Sequence, residues 1–398
     1  MIPVVATQPI YLDHAATAPV DPRVAAVMSE CLSDPALQAN PASAHAPGRD
    51  AALRIEIARR QVARLINAPP ESVVFTSGAT ESVNLAILGA ARAAGRGRRH
   101  VVTSRVEHRA GRDACGQLER EGFEVTWLKP DVEGRIDPGE AAAAIRPDTA
   151  LVSLMHANNE TGVVTDVDAV AAACRERGII FHTDAAQSAG KLPIDVISSG
   201  VALLSFCAHK LGGPKSVGAL YVRRRPRPPL QALLFGGGHE GGLRSGTMAT
   251  HQLIGFGAAC ELAFTALAVE PARIRELRER LWLALQPAAP LWRNGACEPS
   301  VPGILNVGFA GIEGESLLLE LDGTLAVSSG AACSSATAAP SYVLRALGRT
   351  DVAIQASLRL SLGRGTSAAE VDRAARLIVD GVKRLRAALP AGALERIA

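Results

Sequence analysis

The position of Lys210 in the sequence indicates a chemical role. It follows the apolar run LLSFC at 203–207 and precedes the sequence LGGP, so it lies at the end of a predicted strand. A lysine at the end of a buried strand is costly unless it has a partner or a task. A desolvated lysine has a lowered pKa and can form a Schiff base. The alternative is a lysine that emerges at the surface on the loop.

Two further polar segments follow apolar runs. The segment FHTDAAQ at 181–187 places Asp184 at the C-terminal end of a predicted strand, the edge at which open α/β sheets bind ligands. Its carboxylate could pair with a cationic ligand atom, or it could cap the next helix. The segment TSGATE at 76–81 joins a strand to a helix. Its backbone N–H groups and the Thr80 hydroxyl could bind phosphate, or the segment is an ordinary capping turn.

Cys333 lies among small residues in SSGAACSSA at 328–336. No bulky neighbour in the sequence shields the thiol, and a reactive thiol needs both access and a route to the thiolate. The alternative is an incidental cysteine in a turn of small residues.

The sequence also predicts a β-sheet that would position these residues. Short β-branched runs alternate with alanine-rich helical stretches, which indicates βαβ units and a mostly parallel sheet. The predicted strands are 72–76, 100–104, 125–128, 151–156, 179–182, 203–207 and 219–222, and the helices between them are 81–94, 112–121 and 167–177.

The composition changes after Tyr221, where a Pro/Arg stretch and two glycine clusters lead into a long predicted helix at 250–285. Strands near 303–307, 325–328 and 357–362 and helices near 315–321, 342–347 and 368–389 follow it. We therefore predict an α/β fold with a large domain at 16–262. Residues 1–15 and 263–398 are predicted to form a smaller α+β domain.

The bulk composition excludes several classes of protein. Of the 398 residues, 48% are hydrophobic and 20% charged, which is typical of a globular chain, and a net charge of +3 is too mild to indicate nucleic-acid binding. The arginine clusters at 96–99 and 223–227 are expected to be solvated loops, with an anion-binding patch as the alternative. The seven cysteines are widely spaced and include no CxxC pair. We therefore expect neither zinc nor disulfides, no membrane span and a reducing cytoplasm.

Nine motifs, in order along the chain, resemble those of the group I cysteine desulfurases, the NifS/IscS family. The resemblance runs from YLDHAAT at 11–17 to about residue 364, and its motifs are TSGATES, EH at 107–108, HANNETG, HTDAAQS, HK at 209–210, GGGHEGGLRSGT, SSGAACSSA, PSYVLRALG and LRLSLGR. That family belongs with the class V aminotransferases among the fold-type I enzymes that depend on pyridoxal 5'-phosphate (PLP). The resemblance implies a PLP-dependent homodimer whose substrate is L-cysteine.

The resemblance also implies a role for each candidate residue. Lys210 matches the Schiff-base lysine, and Asp184 the residue that pairs with the pyridine nitrogen. His108 resembles the imidazole stacked on the ring, and Gln187 the partner of the phenolic oxygen. The phosphate would be held by Ala79, Thr80, Cys207, His209 and, from the partner subunit, Thr247.

Asn159 and Arg359 match the positions that orient the substrate carboxylate. A guanidinium suits that task because it binds a carboxylate through two hydrogen bonds. Cys333 matches the cysteine that takes the substrate sulfur as a persulfide, after which alanine leaves and the sulfur passes to an acceptor protein. The remaining cysteines, 31, 115, 174, 260 and 297, are expected to be small apolar fillers.

Two departures from the family pattern leave questions open. Cys207 stands where members usually have Ser or Thr, and a thiol is the weaker hydrogen-bond donor. The chain also ends at Ala398, without the longer tail of members that bind the iron–sulfur scaffold. The acceptor could therefore be that scaffold or an enzyme of tRNA thiolation or DNA phosphorothioation. The rival interpretations are an aminotransferase, a selenocysteine lyase or a non-catalytic protein.

Overall fold

The structure is a computed structural model that describes residues 8–95, 97–329 and 340–389. Its strands are β1 Ile10–Tyr11, β2 Val73–Thr76, β3 His100–Ser104, β4 Glu124–Leu128, β5 Thr149–Ser153, β6 Ile180–Asp184, β7 Leu203–Cys207, β8 Gly218–Val222, β9 Leu291–Arg293, β10 Ile304–Phe309, β11 Leu325–Ala326, β12 Ser328–Ser329 and β13 Ser357–Ser361.

The helices of the described residues alternate with these strands in the first half and surround the smaller sheets in the second. They are α1 Pro22–Ser33, α2 Ala46–Leu65, α3 Ala79–Ala93, α4 Arg109–Arg120, α5 Pro138–Ala143, α6 Val167–Glu176, α7 Val196–Ser199, α8 Thr250–Ala266, α9 Glu270–Ala284, α10 Gly314–Leu321, α11 Tyr342–Ala346, α12 Asp351–Gln355 and α13 Ala368–Ala387.

The seven predicted strands of the first half form one sheet in the order β2-β8-β7-β6-β5-β3-β4. Only β8 runs antiparallel to its neighbours, so the prediction of a mostly parallel seven-stranded sheet flanked by helices is confirmed. Strands β3, β5 and β7 are buried along their whole length, which explains their continuous apolar runs.

Alternate strand residues pack on opposite faces of this sheet. Phe75 of β2 and Phe206 of β7 join the core beneath α1, α2, α6 and α8. Val74, one residue from Phe75, and Leu203, three residues from Phe206, join the core beneath α3 and α4. This is the two-residue period of a strand, and each buried side chain contributes roughly 1.5–3 kcal/mol.

A smaller antiparallel sheet, in the order β12-β13-β10-β9, forms the second half together with α9, α10 and α13. Strand β1 pairs in parallel with β11, and Ile10 and Leu12 lie in the same apolar core as α9 and α13. Ile10 and Leu12 therefore pack with the smaller sheet, while the predicted division at residues 1–15 stays a prediction.

The single helix predicted at 250–285 is wrong, because the chain bends by 78° between α8 and the helical stretch Glu270–Ala288. Pro271 lies in the first turn of α9, where a proline is tolerated; inside a continuous helix it would remove a hydrogen bond. Phe256 of α8 belongs to the core of the large sheet and Leu281 of α9 to that of the small one. The domain boundary near residue 262 stays a prediction.

Of the helices in the described residues, none alone is long and apolar enough to cross a membrane, although the bent pair α8 and α9 meets the test of length and composition. Among the described cysteines, the expectation of apolar fillers is wrong for Cys297, which is exposed; Cys31, Cys115, Cys174 and Cys260 are buried.

Within the core of the large sheet, truncation of Phe256 should lower the free energy of unfolding most. Phe256 is fully buried, and its ring lies 5.5 Å from that of Phe206 and 6.4 Å from that of Phe75. We expect Phe256→Ala to lower the free energy of unfolding by roughly 3–5 kcal/mol in a urea titration, because it leaves a cavity. Leu319→Ala, at a side chain that is 80% exposed, is the control and should change it by less than about 0.5 kcal/mol. Equal effects of the two variants would contradict this packing.

Candidate active site

Four of the predicted site residues follow four neighbouring parallel strands. His108 comes after β3, Asn159 after β5, Asp184 ends β6 and Lys210 comes after β7. Because parallel strands end at a common edge of the sheet, the structure brings these side chains to one side of it. Strand β2 runs in the same direction, so the start of α3 lies at that edge too.

The Lys210 amine is held by the backbone of the N-terminal segment. Its Nζ donates hydrogen bonds to the carbonyl oxygens of Ala15 and Ala16, the latter at 2.9 Å. The side chain is only partly exposed, so it does not emerge at the surface as the alternative interpretation required. An amine held this way stays beside the sheet edge, where a carbonyl ligand would meet it.

Asp184 places a buried carboxylate at the same edge. The residue is 8% exposed, and its Oδ1 accepts a hydrogen bond from the Ala186 N–H at 2.9 Å. Burial raises the pKa of this carboxyl, while the positive charges of His108 and Lys210 oppose the rise. A cationic ligand atom here would offset the cost of burying the charge.

His108 is the N-cap residue of α4, and the residue before it is a second buried acid. The His108 Nδ1 accepts a hydrogen bond from the Ala110 N–H at 3.2 Å, which fixes the ring at the helix start. The preceding Glu107 is buried, and its Oε1 accepts a hydrogen bond from Ser104 Oγ at 2.6 Å. Burial raises the pKa of Glu107 to about 8, so this carboxyl is largely protonated at neutral pH.

The N-terminus of α3 supplies backbone donors. Its first intrahelical bond runs from the Ser82 N–H to the Gly78 carbonyl, so the N–H groups of Ala79 and Thr80 have no acceptor within the helix. Gly78 has a φ of +147°, and Gly218 of β8 packs so closely that a Cβ there would lie 2.7 Å from the Gly78 backbone. Two glycines thus leave an open turn that suits an anion.

Cys207 and His209 lie between this turn and Lys210. Burial raises the pKa of the Cys207 thiol to about 11, against the opposing charge of Lys210, so the group is a neutral and weak donor. The His209 Nδ1 lies 3.2 Å from Thr17 Oγ1. Burial, followed by the charge of Lys210, lowers the pKa of His209 to about 4, so its ring is neutral at pH 7.

Two ion pairs hold the segment that carries Thr247, one to the start of α3 and one to α2. Arg244 Nε lies 3.0 Å from Glu81 Oε1, and Arg59 Nη2 lies 2.7 Å from Glu240 Oε1. Thr247 itself is exposed beyond these pairs, so a single chain leaves it facing outward. Sequence reasoning missed both pairs, since the partners are far apart in the chain and no local pattern relates them.

Arg359 and Asn159 meet between the two sheets. Arg359 is 1% exposed, donates from Nη1 to the Asn159 carbonyl at 2.9 Å and pairs through Nη2 with Asp13 Oδ1 at 2.9 Å. Among the described residues, Arg359 Nε and Asn159 Oδ1 are buried without a hydrogen-bond partner. Each such atom costs roughly 1–3 kcal/mol, and a bound ligand with carboxylate and amine groups would offset that cost.

Gln187 has partners on both sides of its side-chain amide. Its Nε2 donates to the Ala15 carbonyl at 2.9 Å, and its Oε1 accepts from Lys191 Nζ at 3.1 Å. Sequence reasoning missed Lys191 and Asp13. A lysine in the turn SAGKLP gives no local signal of burial, because small residues and proline are also typical of exposed loops.

Cys333 lies outside the described residues, and so does the segment 330–339 around it. The chain that leads to it is described as far as β12, where Ser328 pairs with Arg359 and Ser329 with Leu358 of β13. The described chain therefore reaches one residue beyond the position opposite Arg359.

These residues fit PLP by the chemistry of their donors and acceptors. A buried carboxylate suits the pyridine nitrogen, an amine suits the aldehyde, and the open turn at α3 suits the phosphate. Within the described ranges, Arg359 Nε has no acceptor and Asn159 Oδ1 no donor, which leaves one donor and one acceptor for the substrate. No group of three or more His, Cys, Asp or Glu side chains in the described part of the chain could hold a metal ion.

Comparisons with known proteins agree with this chemistry. The sequence model of the family described as aminotransferase class-V matches residues 10–374. The cysteine desulfurase IscS of Shewanella sediminis (strain HAW-EB3) is 53% identical over 383 residues, which are 96% of this chain and 95% of that protein.

Two solved structures extend the similarity to the fold. A "NifS-like protein" superposes with a TM-score of 0.88 at 32% identity and covers 95% of this chain and 100% of its own. A structure described as SspA in complex with cysteine superposes with a TM-score of 0.78 at 36% identity, over 89% of this chain and 99% of its own.

Glu107 should make the stability of the protein depend on pH. Its pKa is 4.5 in ordinary surroundings and about 8 here, so the folded state holds the extra proton between these values and loses stability as the pH rises through them. Glu107→Gln removes that loss. We expect the variant's free energy of unfolding, relative to the wild type, to rise by at least about 1 kcal/mol between pH 5 and pH 8.

The measurement is denaturant unfolding of both proteins at pH 5, 6.5 and 8. Glu71→Gln, at an exposed glutamate, is the matched control and should differ from the wild type by the same amount at each pH. A constant difference for Glu107→Gln as well would mean that this carboxyl is ionised in the folded protein.

Proposed function

The chain belongs to the aminotransferase class-V family and, within it, to the cysteine desulfurases, and from that membership we propose that it removes the sulfur of L-cysteine, passes it to Cys333 and releases L-alanine. The observation that carries the proposal is the meeting of Lys210, buried Asp184 and the unpartnered atoms of Asn159 and Arg359 at one edge of the sheet. An amine, a carboxylate and a guanidinium are what an amino-acid enzyme of this family requires.

The cofactor of this family is PLP, and the residues that would hold it divide into two groups. Asp184, His108 and Gln187 would contact the ring. The phosphate would be bound by Ala79, Thr80, Cys207, His209 and the partner subunit's Thr247. When bound, PLP supplies an electron sink that weakens the bonds at the α and β carbons of the substrate.

Lys210 is proposed to move the proton of the substrate α carbon. In its neutral form the amine accepts that proton, and the carbonyl oxygens of Ala15 and Ala16 stabilise the ammonium that results. Both acceptors belong to backbone that is fixed on the smaller sheet, so the amine keeps its position through the transfer.

Arg359 and Asn159 are proposed to orient the substrate carboxylate. The guanidinium is already turned by Asp13 and the Asn159 carbonyl, so binding costs little further ordering of the side chain. His108, fixed at the start of α4, would stack on the cofactor ring and assist proton transfers.

Cys333 is proposed to take the sulfur. Its thiolate attacks the substrate sulfur, an S–S bond forms, and the C–S bond breaks with its electron pair left on carbon. That carbon then takes a proton, and alanine leaves. The pairing of β12 with β13, which begins this segment beside Arg359, supports the assignment.

We propose that the active unit is a homodimer in the cytoplasm. Thr247 is exposed on a segment held by two ion pairs, and the nearby Phe235 is 81% exposed, which favours burial against a second copy. The sulfur acceptor is proposed to be a protein, either an iron–sulfur scaffold or a thiolation enzyme, with no direct contact to nucleic acid or membrane. The unpaired state of the described cysteines suits a reducing compartment.

A pair of variants tests the proposed division of labour. Lys210→Ala should lose the visible absorbance of lysine-bound PLP and all activity, because it removes the amine that would join the cofactor and move the proton. Cys333→Ser should keep the absorbance but lose at least about 99% of sulfide release, since a hydroxyl cannot accept sulfur. The wild type should form alanine and sulfide in equal amounts from cysteine and a reductant. A keto acid product would identify transamination instead, and normal sulfide release by Cys333→Ser would exclude the persulfide step.

Cys207 gives a separate prediction about cofactor affinity. The neutral thiol is a weaker donor to phosphate than a hydroxyl, so Cys207→Ser should bind PLP roughly 2- to 10-fold more tightly. The dissociation constant is measured by titrating the apoprotein with PLP. Cys297→Ser, at the exposed cysteine, is the control and should leave it unchanged. An unchanged affinity in Cys207→Ser would mean that this side chain does not reach the phosphate.

A further inference from the structure

Lys191 lies beside the proposed cofactor site, and the function proposed above gives it no role. It follows Gly190, whose φ is +68° and where a Cβ would lie 2.7 Å from Leu211 and 2.9 Å from Ala263. Only glycine fits that position. The chain therefore turns tightly, the Lys191 N–H bonds to the Ser188 carbonyl at 2.9 Å, and the side chain returns toward Gln187.

The Lys191 side chain is partly buried. It lines a cavity of about 250 Å³ together with Lys210 and His14, and its Nζ donates to Gln187 Oε1 at 3.1 Å. Burial, followed by the charge of Lys210, lowers the pKa of Lys191 to about 7; the other groups that act on it are Cys207, Arg359 and Glu270. A lysine amine retains N–H groups whether charged or neutral, so the contact survives loss of the proton.

Two neighbours decide which way the Gln187 amide points. Its oxygen receives the Lys191 N–H, and its nitrogen donates one hydrogen to the Ala15 carbonyl. In the reversed orientation, N–H would face the Lys191 ammonium and oxygen would face oxygen at Ala15, and both contacts would be repulsive. When Lys191 is neutral its nitrogen can accept from a reversed amide, and the Ala15 contact then sets the orientation. The amide nitrogen carries a second hydrogen, for which the described residues supply no acceptor.

We propose that Lys191 is a positioning residue that fixes the Gln187 amide so that its second N–H is available to the phenolic oxygen of PLP. The proposal rests on the proposed function, in which Gln187 contacts that oxygen. A hydrogen bond to the ionised phenolic oxygen stabilises it, whereas an amide that is unconstrained spends part of its time with its carbonyl there instead.

The test is a double-variant cycle on the full-length holoenzyme, made with Lys191→Met, Gln187→Ala and the two combined. Two equilibrium properties are measured, namely the dissociation constant of PLP and the pH midpoint of the change in its visible absorbance. We expect each single variant to weaken PLP binding roughly 3- to 10-fold and to raise the midpoint, because the ionised oxygen loses a donor. Lys191→Arg, which keeps a donor, should restore most of both.

The combined variant distinguishes positioning from a plain effect of charge. If Lys191 acts through Gln187, then adding Lys191→Met to Gln187→Ala changes neither property further. Full additivity would overturn the proposal, since the lysine would then act on the cofactor by its own charge. Lys129→Met, at an exposed lysine after β4, is the control and should match the wild type.

The remaining outcomes separate this inference from the proposed function. If Gln187→Ala leaves both properties unchanged, the proposed role of Gln187 fails and this inference fails with it. If Gln187→Ala changes them and Lys191→Met does not, only the inference fails. Should Lys191→Met not fold, the same cycle is run with Lys191→Ala, which also lacks a donor and for which the expected absence of additivity is the same.

Discussion

The site depends on the segment at 12–18, which crosses from the small sheet to the large one. The Ala15 carbonyl accepts hydrogen bonds from both Lys210 and Gln187, while the Ala15 N–H donates to Ser361 Oγ at 2.9 Å. Three residues on, the Ala18 N–H donates to the His209 carbonyl at 2.8 Å. The Lys210 amine, the Gln187 amide and the end of β13 are therefore positioned against one short stretch of backbone.

This arrangement also sets the electrostatics of the site. The described pocket holds cationic groups that are driven toward neutrality, as the lowered pKa values of Lys191 and His209 show, and a carboxyl whose pKa is raised. Burial is the largest cause in all three. Burying these ionisable groups costs free energy. A bound dianionic phosphate would favour the charged forms of the lysine and histidine, and a protonated ring nitrogen would favour the carboxylate.

Local sequence patterns predicted the sheet and the residues at its edge, because strand periodicity and strand ends are properties of neighbouring residues. Strands 100–104 and 203–207 have the predicted bounds, and Lys210 and Asp184 lie at the predicted edge. The bend between α8 and α9 was missed, since an apolar pattern continues through it and Pro271 alone marks it. The pairs Arg59–Glu240 and Asp13–Arg359 join distant parts of the chain, and no local pattern relates the two partners.

In the proposed function, the pairing of β12 with β13 limits how far Cys333 can carry sulfur. Ser329 is fixed opposite Leu358, and Cys333 is four positions farther along the chain. Four residues span at most ~14 Å, so the tether keeps the Cα atom of Cys333 within that radius of Ser329 whatever path it follows. In that proposal, an acceptor has to bring its own thiol or cluster site to within this distance of Ser329, and its shape there limits which acceptor receives the sulfur.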